Sequence, residues 1–199
     1  MLFRSVDNSN LMDKVMLRVN HLPRKKTITV LDAYHGAGTI WKNVRKKTEK
    51  EIQVVGIDKK AGKGGGLTLE GDNLKFIPSL DLSTYDVIDL DAYGVPYRVL
   101  KEIFKNGSAK KGAYVFATFI QSIQGRLPTL MLEELGYTKA MIKKAPALLC
   151  RHGFEKITNF LSILGVKSID YISKDRKYYL YFKMPANSLC GKELTDNPK

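Results

Sequence analysis

The stretch that constrains this chain most is Leu31-Asp32-Ala33-Tyr34-His35-Gly36-Ala37-Gly38-Thr39-Ile40-Trp41. Just before it, Thr27-Ile28-Thr29-Val30-Leu31 is β-branched, apolar and too short for an independent helix, so it reads as a buried strand. After it, Thr39 can cap a helix running to about Lys47. Strand, glycine-rich turn and helix start form the unit that lets backbone approach a nucleotide-like ligand closely. An ordinary strand-to-helix turn can also hold two glycines, and G-x-G alone is weak. A dinucleotide turn needs a third small residue at the sixth position, and here that position is Trp41. Asp32 at the strand end would repel a pyrophosphate and attract an ammonium group, so the turn favours a zwitterionic ligand.

A second acid closes the next apolar strand, Ile52 to Ile57, at Asp58. Its spacing from Asp32 fits one strand-helix-strand unit, and an acid there suits a ribose hydroxyl. A cap or turn carboxylate is the plainer alternative. Lys59 to Gly66 lacks the glycine and lysine spacing of a P-loop and reads as a mobile basic loop beside the ligand. A short strand, Leu67 to Glu70, leads to Asp72 and Asn73, where Asp72 can cap a helix over 73–77. The fourth strand, Tyr85 to Leu90, places Asp89 and Asp91 on one face, which is costly unless a site needs both charges.

These acids carry a resemblance. Asp-Ala-Tyr-His-Gly-Ala-Gly-Thr at 32–39 resembles the first motif of the S-adenosylmethionine-dependent methyltransferases, in the form of their nucleic-acid amino-methyltransferase branch. Asp-Leu-Asp-Ala-Tyr-Gly-Val-Pro at 89–96 resembles the Asp-Leu-Asp-Pro-Phe-Gly-Ser-Pro motif of tRNA guanine-N2 methyltransferases, itself related to the Asp-Pro-Pro-Tyr motif of adenine-N6 enzymes. Ala92 stands where that motif has proline. The resemblance implies S-adenosylmethionine as cofactor, held by Asp32, Tyr34, His35, Gly36, Gly38, Thr39, Asp58, Lys59, Asp72, Asn73 and Asp89, with Asp72 on the adenine amine. It implies catalysis by Asp91 and Tyr93. Asp91 and the Ala92 carbonyl would accept from the two N–H groups of an exocyclic amine, and Tyr93 would stack on an extruded base. Ala92, Gly94, Lys63, Arg126, Lys143 and Lys144 are the expected substrate contacts. The absence of cysteine from this loop argues against a covalent route to a pyrimidine ring carbon.

Charge agrees with a polyanionic partner. The 199 residues include 33 Lys and Arg against 20 Asp and Glu, a formal net charge of +13, spread along the chain rather than gathered in one run. The expected partner is nucleic acid, RNA before DNA; a lysine-rich solvated surface is the bland alternative. Two cysteines far apart and three histidines argue against a zinc site and suit a reducing cytoplasm. No apolar run reaches the roughly 18 residues of a membrane span, and no signal peptide is evident, so no membrane partner is expected.

The remaining segments complete an alternating pattern. Leu11, Met12, Val15, Met16 and Val19 predict one core-packing helix in residues 1–26, followed by the solvated run Arg24-Lys25-Lys26. Helices are expected over 96–105 and 128–135, and a buried strand over 112–120. The polar segment 121–128, with Arg126, would line a cleft. A linker carries Lys139, Lys143 and Lys144. One amphipathic helix is expected over 146–164, opened by Pro146 and striped by Leu149, Phe154, Ile157, Phe160, Leu161 and Leu164. A hairpin of 167–173 and 178–184 follows, and 186–199 is a polar, frayed tail. The fold class is α/β: a doubly wound, mostly parallel sheet ending in an antiparallel hairpin, with residues 27–185 as the methyltransferase domain. A methyltransferase for a small molecule or protein, and a non-catalytic nucleic-acid-binding module, are the competing functions. The oligomeric state is left open.

Overall fold

The computed structural model describes residues 10–60, 66–121, 126–149, 151–174 and 176–185. Seven strands form one sheet: β1 (Thr27–Asp32), β2 (Glu51–Asp58), β3 (Leu67–Glu70), β4 (Val87–Leu90), β5 (Tyr114–Ile120), β6 (Ile169–Lys174) and β7 (Lys177–Lys183). Their order is β3-β2-β1-β4-β5-β7-β6. The first five are parallel, and β7 runs antiparallel to both β5 and β6. This is the expected doubly wound sheet with its terminal hairpin. The chain leaves β1 toward β2 on one side and returns to β4 on the other, which opens a crevice at their carboxyl ends.

Strand alternation sends side chains into two cores. Leu31, Ile57, Ile88, Leu90, Val115 and Ala117 face α4 (Tyr97–Asn106) and α8 (Gly153–Ile163). Ile28, Val30, Val87 and Phe116 face α1 (Leu11–Asn20) and α2 (Thr39–Arg45), meeting Val15, Leu17, Trp41 and Val44. Asp32 and Asp89 lie side by side on this second face, in register with each other and, across β2, with Gly56.

Several elements depart from the sequence expectation. Gly38, not Thr39, is the N-cap of α2, at φ 65°, a conformation glycine adopts without Cβ strain. Met12 and Met16 are exposed, because α1 turns Val15, Leu17 and Arg18 toward the sheet. Lys139 to Lys144 is a helix, α6, whose N-cap Thr138 accepts from the Met141 amide; α5 (Thr129–Glu134) precedes it. The helix expected over 146–164 is two pieces, α7 (Pro146–Leu149) and α8. His152 sits between them with φ 53°, and Gly153 passes so close to Gln121 that a Cβ would lie 2.4 Å from its Oε1. A continuous helix cannot hold that left-handed residue. The apolar stripe survives the break, with Leu149, Ile157, Phe160, Leu161 and Leu164 buried. The polar tail 186–199 and most of the 59–66 loop, Lys63 included, lie outside the described residues. Among the described residues no helix is long and apolar enough to cross a membrane.

Candidate active site

Three strand ends and the loops that leave them build the crevice. β1 ends at Asp32, whose Oδ1 accepts from the Tyr34 amide at 3.3 Å and whose Oδ2 meets His35 Nδ1 at 3.0 Å. The His35 ring lies over Gly56, and a Cβ on residue 56 would sit 2.4 Å from His35 Cγ. The bare backbone of β2 is therefore what admits the imidazole to Asp32. β2 ends at Asp58, which accepts from the Gly36 amide at 2.9 Å and the Lys60 amide at 3.1 Å. One carboxylate thus ties the glycine turn to the next strand. Each Asp58 oxygen keeps acceptor capacity for hydroxyls.

β3 leads to Asp72, whose Oδ1 accepts from the Leu74 amide at 3.0 Å and caps α3 (Asn73–Phe76). Asn73 is buried and donates to the Ala33 carbonyl at 2.6 Å, bracing the turn rather than facing solvent. Burial pushes the Tyr34 phenol up to about 12, so it stays a neutral donor.

The space between these loops has two parts. A cavity of about 560 Å³ is lined by Tyr34, Asp58, Lys59, Asp72, Asn73 and Arg98, among others. A second, of about 200 Å³, is lined by Lys14, Asp32, His35, Gly36, Thr39, Asp91 and Ala92, among others. Tyr34 and Tyr93 line both and stand between them. Tyr93 is 88% exposed, a large aromatic face presented to solvent at the mouth.

The two acids expected on one face of β4 do face one way, toward α1, but their surroundings differ. Asp89 is 1% exposed and takes a two-point contact from Arg18, Nε to Oδ2 and Nη2 to Oδ1, both at 2.6 Å. Burial pushes its carboxyl up, while the guanidinium opposes protonation and keeps the pair ionic. Asp89 lines neither cavity, so its place is under the crevice floor, not among ligand contacts. Asp91, one step past the strand, lines the smaller cavity. Its carboxylate accepts from Thr118 Oγ1 at 2.5 Å and from Lys14 Nζ, 2.9 Å from Oδ1 and 3.0 Å from Oδ2.

Other expected contacts fall outside. Arg126, Lys143 and Lys144 are exposed and line neither cavity. Gly38 acts through the α2 cap, and Gly94, at φ 123°, accepts the Ile120 amide at 2.7 Å on its carbonyl. Lys14, Arg18, Gly56 and Arg98 are the site residues sequence reading missed. A basic residue on the apolar face of a predicted helix, as Arg18 is at i+3 from Val15, was a usable signal. So was a glycine inside an apolar strand, which often marks a close approach.

No family model and no curated protein sequence matches this chain. Solved structures match its fold. A SAM-dependent methyltransferase from Archaeoglobus fulgidus is 15% identical, with 86% of this chain and 93% of that one covered and a TM-score of 0.53. Trm1 from Pyrococcus horikoshii, in complex with S-adenosyl-L-methionine, is 17% identical with a TM-score of 0.55, over 90% of this chain and 55% of Trm1. A Lactococcus lactis structure named as a hemolysin is 13% identical, covering 94% and 92% of the two chains, with a TM-score of 0.55. At these identities the likeness is one of fold: this chain has the Rossmann-like architecture seen in S-adenosylmethionine-dependent methyltransferases.

Proposed function

We propose that the protein is an S-adenosylmethionine-dependent methyltransferase acting on an exocyclic amine of a nucleic-acid base, in RNA before DNA. The observation that carries this reading is the convergence of Asp32, Asp58 and Asp91 on one two-part crevice at the switch point of the sheet. The crevice fits an elongated ligand with a nucleoside at one end and an amino acid at the other. Asp58 and Asp72 serve the nucleoside end. Asp32, oriented by His35, serves the amino-acid end, where an ammonium finds a carboxylate.

The cofactor supplies an electrophilic methyl on a sulfonium, and the chain's task is to present the amine in line with it. An aryl amine is a weak nucleophile because its lone pair is delocalised into the ring. Asp91, fixed by Thr118 and Lys14, accepts from an amine N–H and helps localise that pair. Asp91 acts as an orienting acceptor, and the proton released from the amine goes on to water. Tyr93, at the junction of the two cavities, offers a stacking face for an extruded base. Lys59 and Arg98 at the larger cavity favour a phosphate-bearing substrate over a neutral small molecule.

Two measurements test this. Calorimetric titration should show binding of S-adenosylmethionine and its demethylated product; preferential binding of NAD would refute the cofactor assignment. After incubation with bulk RNA and DNA, mass spectrometry of the digested nucleosides should find guanine N2 or adenine N6 methylated. A methyl on a ring carbon, a ribose hydroxyl or a protein side chain would refute the substrate assignment.

A further inference from the structure

The crevice lies at the carboxyl ends of the parallel strands, and the opposite, amino-terminal end of the sheet carries its own concentration of charge. Loops entering adjacent strands bring cations together there: Lys50 before β2, Arg24 and Lys26 before β1, and Lys111 before β5. Two shallow grooves run along this edge and share Arg24 and Lys25. One continues to Lys26 and Lys50, the other to Lys110 and Lys111. Beyond them Lys183, at the end of β7, lies with its Nζ 5.0 Å from the Tyr114 ring centroid, in register with that residue.

Part of this charge is structural. Asp86 takes Lys25 Nζ at 2.5 Å and Lys110 Nζ at 3.3 Å, and Lys50 Nζ donates to the Lys25 carbonyl at 2.7 Å. Those contacts pin the loops side by side. Arg24, Lys26 and Lys111 are exposed and make no salt bridge among the described residues. The nearby acids are Glu49, Glu51 and the neutralised Asp86, and Glu51 is engaged by Thr27 and Gln53.

We infer that this edge is a second, sequence-independent nucleic-acid site that grips phosphate backbone on the side of the protein away from the crevice. From β2 to β7 the row crosses four strand spacings, about 19 Å, which matches roughly six phosphates along one duplex strand. An open, linear row suits a polyanion and not a single enclosed anion. None of the exposed large apolar residues of the described chain lines either groove, so an anionic membrane would find charge there but nothing to insert. The strands set the two sites about 20 Å apart, so a structured nucleic acid has to bend around the sheet's side to touch both. The inference is independent of the chemistry in the crevice.

The test compares the full chain with the variant Arg24→Gln/Lys26→Gln/Lys111→Gln, which leaves Lys25, Lys50, Lys110 and Asp86 intact. The probe is a fluorescent RNA hairpin of about two helical turns, titrated at several salt concentrations. The slope of log affinity against log salt should become shallower by about three, with affinity at low salt at least about tenfold weaker. S-adenosylmethionine titration serves as the separate readout of the crevice and should match the parent protein. An unchanged salt slope overturns the inference, and so does loss of binding to phosphatidylserine vesicles while RNA binding holds. If no base is methylated but the slope falls, the second site stands and only the proposed catalytic function fails.

Discussion

Asp89 and Asp91 are two residues apart, face the same helix, and are answered by two cations one helical turn apart, Arg18 and Lys14. One pair is sealed, each side chain 1% exposed; the other sits at a cavity wall with 12% and 17% exposed. The contrast shows how one charge pattern serves two ends. Below the floor, a bidentate guanidinium has to satisfy the carboxylate completely, because no water can. At the wall, an ammonium and a hydroxyl hold the carboxylate in place while leaving it acceptor capacity toward the cavity.

Removing one partner of the sealed pair should have the largest effect. Asp89→Ala strands the Arg18 guanidinium in the core and should cost about 3–5 kcal/mol of stability in urea unfolding, with Arg18→Met/Asp89→Leu recovering much of it. A wild-type midpoint for Asp89→Ala would erase the contrast. Asp91→Ala should do the opposite, changing stability by about 1 kcal/mol or less while turnover falls by on the order of 10². Cofactor affinity, read by calorimetry, should stay near that of the parent, because the lost contact acts in the transition state.

How far this was readable in sequence follows the same line. The strand-turn-helix at 27–45, the acids Asp32, Asp58 and Asp72, and the sheet with its hairpin were legible because each rests on local periodicity and turn chemistry. The Arg18–Asp89 bond joins residues 71 apart, and no local pattern encodes it. The break at His152 was hidden for the same reason, since it depends on Gln121 meeting Gly153. Lys143 and Lys144 stand on a short helix, α6, that buries no residue, and charge alone says nothing about which way such a helix points its lysines.

Two smaller effects sharpen the comparison from the crevice side. Gly56→Ala pushes a methyl into His35, which must tilt away from Asp32; about 1–3 kcal/mol of stability should be lost, with weaker S-adenosylmethionine binding by calorimetry. Normal affinity in that variant would show that His35 does not orient Asp32 for a ligand. Tyr93→Ala should leave stability within about 0.5 kcal/mol of the parent, as expected for an exposed ring. It should weaken nucleic-acid binding by about 1–3 kcal/mol per stacked base in a fluorescence titration, whereas Tyr93→Phe should be mild.

The position of β7 has a consequence for the life of the chain during synthesis. β6 has β7 as its neighbour in the sheet, and β7 lies between β6 and β5. Of the described strands, the one translated last is therefore the one that closes the sheet. Until Lys177 to Lys183 leaves the ribosome, β5 presents an open apolar edge, Tyr114 to Ile120, to anything able to pair with it. Helix α1, translated before every described strand, also waits, because Tyr179 and Tyr181 complete the core it packs on and its Asp13 reaches Lys174 of β6. The nascent protein thus holds α1 in reserve for the β6–β7 hairpin. A stalled or prematurely ended chain would be a template for self-association before it is a folded protein.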